Sequence, residues 1–154
     1  VTAASASPRT DEPFALSRAG GNLLALTHIY TSTLVLGIGA LFGLLQGFSR
    51  ASLITMPPEF DYYRMLTAHG VLMALVFTTF FITGLFTYAV YETIPRVRSL
   101  ALGWTGYCVM LVGTVLTTVV ILQGDASVLY TFYAPLKASP LFYLGATLLV
   151  LGTW

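Results

Sequence analysis

Hydrophobic positions in this chain come in four long runs, and the charged positions fall between them. No Asp, Glu, Lys or Arg occurs within residues 19–49, 65–91, 99–124 or 138–154. About 20 apolar residues cross a bilayer as a helix, so the first three runs predict complete membrane-spanning helices at about 22–48, 64–92 and 100–122. Pro140 suits the first turn of a fourth helix, predicted over 140–154. At 1.5 Å per residue that stretch falls short of a crossing, and this helix is expected to be truncated at Trp154. The fold class is all-α transmembrane: three complete spans and a truncated fourth, part of a larger helical bundle.

The segments between the runs carry the turn chemistry. Residues 1–21 are small and polar and read as a flexible tail, without the apolar core of a secretory signal. Pro57 and Pro58 prevent a continuous helix after the first span. Phe60, Tyr62 and Tyr63 beside Arg64 read as an interfacial aromatic belt. Glu92, Pro95, Arg96 and Arg98 form a short polar turn, and a loop is expected from Gln123 to Ser139. Gly39, Gly43 and Gly47 recur every four residues and read as a packing groove for a neighbouring helix in preference to a cofactor seat. Gly103, Gly106 and Gly113 suit close packing in the same way. Arg9, Arg18, Arg96 and Arg98 lie on one side of the spans, with Arg50, Arg64 and Lys137 on the other. That small excess predicts a cytoplasmic amino terminus and places His69 and the Tyr130–Lys137 loop in the outer half.

Composition narrows the class. The chain is 56% hydrophobic and 8% charged, with a mean hydropathy of +0.83, whereas soluble domains carry about 25% charged residues. It is therefore an integral membrane protein. The net charge of +1 comes with scattered basic residues, which excludes a nucleic-acid-binding footprint. Cys108 is the single cysteine, so no internal disulfide or CxxC metal spacing exists, and it reads as a small buried hydrophobe.

Two histidines carry the candidate chemistry. His69 lies in the run Leu66–Phe77, roughly 8 Å along the helix from Arg64. An unpaired imidazole in hydrocarbon is costly, and the Thr67 hydroxyl is a nearby candidate partner, while Gly70 lets another surface approach. Three roles compete for His69: a hydrogen-bonding residue between helices, a proton relay, or an axial ligand to haem iron. Spacing alone ranks the first ahead. Thr79, Thr83 and Thr87 form a row drifting toward the His69 face; such hydroxyls either line a polar interior or bond their own helix. His28, followed by Tyr30, Thr31, Ser32 and Thr33, reads as a satisfied or interfacial residue in preference to a metal ligand.

The run Thr67-Ala68-His69-Gly70-Val71-Leu72-Met73 resembles the second-helix signature of subunit I of haem–copper oxygen reductases. Tyr130-Thr131-Phe132-Tyr133-Ala134-Pro135-Leu136-Lys137, followed by Phe142-Tyr143-Leu144-Gly145, resembles the third-to-fourth loop of the B-type, ba3-like branch. The likeness covers roughly residues 23–154. Ala134 departs from it, since a second proline usually precedes Pro135 there, as does His28 in a helix that is commonly apolar. The resemblance implies that His69 is one of two axial ligands of a low-spin haem b fed by cytochrome c or a copper domain. It implies Gly70, Tyr130 and Tyr133 as further cofactor-site residues, with interfacial anchoring the competing role for the tyrosines. A high-spin haem and copper would reduce oxygen to water with proton pumping, through ligands outside this chain. Expected partners are the remainder of subunit I, a copper-containing subunit II, the electron donor and the bilayer of a prokaryotic plasma membrane. The chain reads as the amino-terminal quarter or so of that subunit, inactive alone. The alternatives are the large subunit of a nitric oxide reductase and a non-enzymatic transporter or structural subunit.

Overall fold

Backbone hydrogen bonds in a membrane must be satisfied within the protein, and this chain meets the demand with helices. The computed structural model describes residues 12–57, 62–94 and 99–154. Residues 1–11, Pro58, Phe60, Pro95, Arg96 and Arg98, on which readings were placed above, lie outside these. Helix α1 spans Glu12–Arg50, α2 Tyr62–Gly70, α3 Thr78–Thr93, α4 Leu100–Gln123 and α5 Pro140–Leu151, and a π-helical segment, Val71–Phe77, joins α2 to α3. Three helical stretches are long and apolar enough to cross a membrane: Arg18–Arg50, Tyr62–Thr93 and Leu100–Gln123. Helix α1 begins upstream of the span expected at residue 22, so the later part of the tail read as flexible is helical.

The polar residues inside α1 do not oppose its burial in lipid. Thr27, Thr31 and Thr33 donate their hydroxyls to carbonyls one turn back, at 2.8–2.9 Å, and Ser32 to Ile29 O at 2.8 Å. Each hydroxyl proton is thereby satisfied locally.

Helix α1 and the α2–π–α3 stretch form an antiparallel hairpin held in one register. A Cβ at Gly43 would lie 2.7 Å from the His69 ring, one at Gly39 2.9 Å from Met73, and one at Gly84 3.0 Å from His28 Cβ; Gly21 lies under the Tyr91 ring. The two residue numbers of each pair add to the same total, from one end of the hairpin to the other. A glycine stands opposite a large side chain each time, which lets the two helices approach closely. Gly47 meets nothing among the described residues, so among them the groove read from the glycine spacing holds for Gly39 and Gly43. At the far end, Arg18 pairs with Glu92, its Nε donating to Oε1 at 2.7 Å, while Asn22 donates to the same oxygen at 3.0 Å.

Helices α4 and α5 meet even more tightly. A Cβ at Gly113 would come within 2.5 Å of Gly145 O, and one at Gly152 within 2.6 Å of Gly106 O. Gly106 and Gly113 thus serve the packing expected of them, while Gly103 seats the Leu24 side chain. Ser99 caps α4 by accepting the Leu102 N–H at 3.2 Å, and Gly124 ends it at φ 90, a left-handed conformation natural to glycine. Val71, Val76, Phe80, Met110, Ile121 and Phe142 fill the shared core. Only 22–33% of each span's most apolar window is buried within the chain. Leu34, Leu41 and Val112 present their side chains outward, as lipid and further helices require. Cys108 is exposed on α4, not buried as its apolar surroundings led one to expect: a helix with apolar residues on every face leaves some of them outside.

Candidate functional site

His69 sits two residues before the π segment, where α2 crosses α1. A carbonyl can only accept, so the 2.8 Å contact between His69 Nδ1 and Gly39 O places the ring proton on Nδ1. The lone pair is then on Nε2, which makes no hydrogen bond among the described residues, and the ring is half-buried. The partner is therefore a backbone carbonyl of the neighbouring helix rather than the Thr67 hydroxyl considered from the sequence. Gly43 supplies the flat surface on which the ring lies. A π-helical turn inside a transmembrane helix often marks a functional site, and this one begins directly after Gly70.

The loop between α4 and α5 closes over the same half of the hairpin. Its ends are joined by Ser127 N–H to Lys137 O at 3.1 Å and Ser139 N–H to Asp125 O at 2.8 Å. Ala126 and Val128 are buried beneath it. Thr67 Oγ1 donates to Tyr63 O at 2.7 Å and accepts the Leu129 N–H at 3.1 Å. Leu129 holds φ 62, a left-handed conformation a leucine rarely adopts, and Thr67 fixes its amide there. Tyr130 packs on Gly70, where an added Cβ would lie 2.8 Å from its ring. Tyr133 differs: its backbone closes the loop through Val128 O at 3.0 Å while its side chain is exposed. Of the residues read from the sequence, His69, Gly70 and Tyr130 come together and Tyr133 does not join them. Tyr62, at the start of α2, accepts from Gln46 at 3.2 Å and Arg50 at 3.0 Å, which ties the connection between α1 and α2 to the ring-bearing helix.

Sequence reasoning missed the Gly39 carbonyl and the Gly43 seat. The signal was present: His69 and Gly43 stand at the same remove from the connection between α1 and α2, as antiparallel partners must. Of the two readings of His28, satisfied or interfacial, the second fails. It is not interfacial but 1% exposed, between Phe80 and Tyr107, with Nδ1 donating to Leu24 O of its own helix at 2.9 Å. The threonine row faces His28, not His69: Thr79, Thr83 and Thr87 line a cavity with it. No cluster of three or more His, Cys, Asp or Glu able to hold a metal ion occurs among the described residues.

Comparison with known proteins converges on one family. The model for Cytochrome C and Quinol oxidase polypeptide I matches residues 23–154. Cytochrome c oxidase subunit 1 of Thermus thermophilus is 36% identical over 128 residues, which is 79% of this chain and 23% of that protein. A cryo-EM structure of a heme-copper terminal oxidase dimer superposes with a TM-score of 0.78 at 38% identity, covering 86% of this chain and 23% of the other. An all-helical hairpin of this register, a histidine presented on its second span and a match over most of the length place the chain in the Cytochrome C and Quinol oxidase polypeptide I family, the subunit I of haem–copper oxidases.

Proposed function

We propose that the chain contributes the first spans of the catalytic subunit of a terminal respiratory oxidase, with His69 Nε2 as one axial ligand of a low-spin haem b. The observation that carries the reading is the Nδ1–Gly39 hydrogen bond. A ligating histidine characteristically donates its other ring N–H to a carbonyl or carboxylate, which fixes the tautomer and the ring orientation. Here that bond crosses between helices, so the hairpin holds the ring before any iron arrives. Gly43 keeps the ring flat against α1, and Gly70 with Tyr130 fixes the turn that follows. The haem would supply one-electron redox chemistry, taking an electron from cytochrome c or a copper domain and passing it toward a haem–copper centre that reduces oxygen. This chain's own part is to present the imidazole, hold its proton on Nδ1, and keep the loop closed over that half.

Partners follow from the same reading: the remainder of subunit I, a copper-containing subunit II, and lipid around the outward-facing apolar side chains. The amino terminus is taken as cytoplasmic in a prokaryotic plasma membrane, with the His69 half outside. The Tyr130–Lys137 motif favours the ba3-like branch. The matched relatives are oxidases by name, which favours that activity over nitric oxide reduction or a transport role.

The test is replacement of His69 by Ala in the complete subunit. The expected result is loss of the bis-histidine low-spin spectrum; an unchanged spectrum removes His69 from the site.

A further inference from the structure

The second histidine of the chain faces something different. A cavity of about 660 Å³, open at its outer rim, lies between α3, α4 and the residues Gly152–Trp154 that follow α5, with Leu24 and His28 of α1 at its inner wall. A water's share of liquid volume is about 30 Å³, so the space holds many waters. Its polar lining comes chiefly from α3, where Thr78, Thr79, Thr83 and Thr87 face it. Thr78 and Thr79 donate back to Ala74 O and Leu75 O, each at 2.6 Å, and keep lone pairs free. Thr83 and Thr87 make no hydrogen bond among the described residues, so their hydroxyls are open to a partner in the cavity.

At the inner end is His28. Its Nδ1 proton is held by Leu24 O, so Nε2 is an acceptor, and that atom is buried without a donor among the described residues. A buried acceptor in this state needs a partner, and His28 is one of the residues that line the cavity. From Gly84, opposite His28, to Glu92 is about 12 Å of helix, and the lining continues along α3 to Tyr91 and Ser99 at that membrane face. The titratable groups facing His28 from the packed elements are Tyr107 of α4, whose hydroxyl is bonded to Thr31 at 2.8 Å, and, farther along the lining, Tyr91 of α3. No Asp, Glu, Lys or Arg lines the cavity among the described residues; the Arg18–Glu92 pair stands at the ends of α1 and α3 on the same face.

We propose that water fills this cavity from the Arg18–Glu92 face and that His28 Nε2 is a proton-accepting site at its inner end. A proton arriving from bulk water through the cavity waters converts the neutral imidazole to imidazolium, while Nδ1 keeps its proton on Leu24 O. The site is independent of His69, which lies at the other end of the hairpin and has another partner.

The experiment uses the complete subunit in its assembled complex, in oriented vesicles, with reactive cysteines including Cys108 replaced. Thr83→Cys and Thr87→Cys are exposed to a small membrane-impermeant methanethiosulfonate added on the Arg18–Glu92 side, beside Phe81→Cys and Leu85→Cys, which point outward away from the cavity. Labelling of the two threonine positions at least tenfold faster than the outward pair is expected; equal or absent labelling overturns a hydrated cavity. Infrared titration from pH 5 to 9 with ring-15N histidine is expected to show an imidazole band present in the parent and missing in His28→Asn and His28→Gln. A titration identical in all three overturns the proton site. Retention of the low-spin haem spectrum in the His28 variants keeps this outcome separate from the role proposed for His69.

Discussion

The two ends of the α1–α3 hairpin each hold one histidine, and the two are fixed in opposite ways. His69 bonds across to Gly39, thirty positions away in sequence, while His28 bonds to Leu24 on its own helix. A ring held by a neighbouring helix changes direction if the helices separate. A ring held by its own helix keeps its direction whatever the neighbour does. At the His69 end the glycine lies under the ring itself; at the His28 end Gly84 lies against the Cβ and leaves the ring to Phe80 and Tyr107. The first arrangement suits a ligand whose geometry must be set in advance. The second suits a group that meets whatever enters a cavity.

Substitution at the glycine of the first arrangement breaks this comparison most strongly. Gly43→Leu drives a side chain into the space of the His69 ring, and the complete subunit is expected to lose its low-spin haem spectrum. Gly47→Leu, one turn on and facing open space, is expected to leave that spectrum intact. Equal spectra for the two variants would separate the ring from its glycine seat.

Next in size is the contact between α4 and α5. Gly145→Val places methyl groups against the Gly113 carbonyl and the Thr117 hydroxyl, where overpacking costs about 1–3 kcal/mol or more. The thermal midpoint of the assembled subunit is expected to drop clearly, with Gly37→Val, where a Cβ meets nothing within 4 Å, as the neutral control.

A smaller effect sharpens the role of the loop over the His69 half. Thr67→Val removes the acceptor for the Leu129 amide, and a buried donor left unpaired costs about 1–3 kcal/mol. Hydrogen exchange is expected to speed up at Leu129 and Tyr130 while exchange around His28 stays unchanged. Spread of the effect to both ends would mean that the two halves open together.

The smallest effect belongs to the Arg18–Glu92 pair. Exposed ion pairs are screened by solvent, so Glu92→Gln is expected to shift the thermal midpoint least of the set. The shift should shrink further at high salt; a loss comparable to that of Gly145→Val would show that this end is held by the pair rather than by Tyr91 on Gly21.

Much of the fold was legible because lipid imposes a local test. A run of residues without charge either satisfies the length of a bilayer or does not, and residues 65–91 pass without reference to the rest of the chain. The helix spacing of Gly39 and Gly43 was legible for the same reason, as was the isolation of His69 in hydrocarbon. The exposure of Cys108 was not, since nothing in an all-apolar helix says which face its neighbours cover. Nor was the direction of the threonine row: helical drift at a uniform 3.6 residues per turn sent it toward His69, whereas the structure places it on the cavity with His28, beyond a seven-residue π segment.

The sequence by itself determined that this protein lives in a membrane, where its spans lie, and which imidazole is presented on the second of them, because hydrophobicity and helix length are properties of contiguous residues. Only the tertiary structure decided that Gly39 holds the His69 proton, that Thr67 serves the loop instead, and that His28 ends a cavity. Those outcomes depend on which faces of two antiparallel helices meet, and that register is set by glycines and large side chains far apart along the chain.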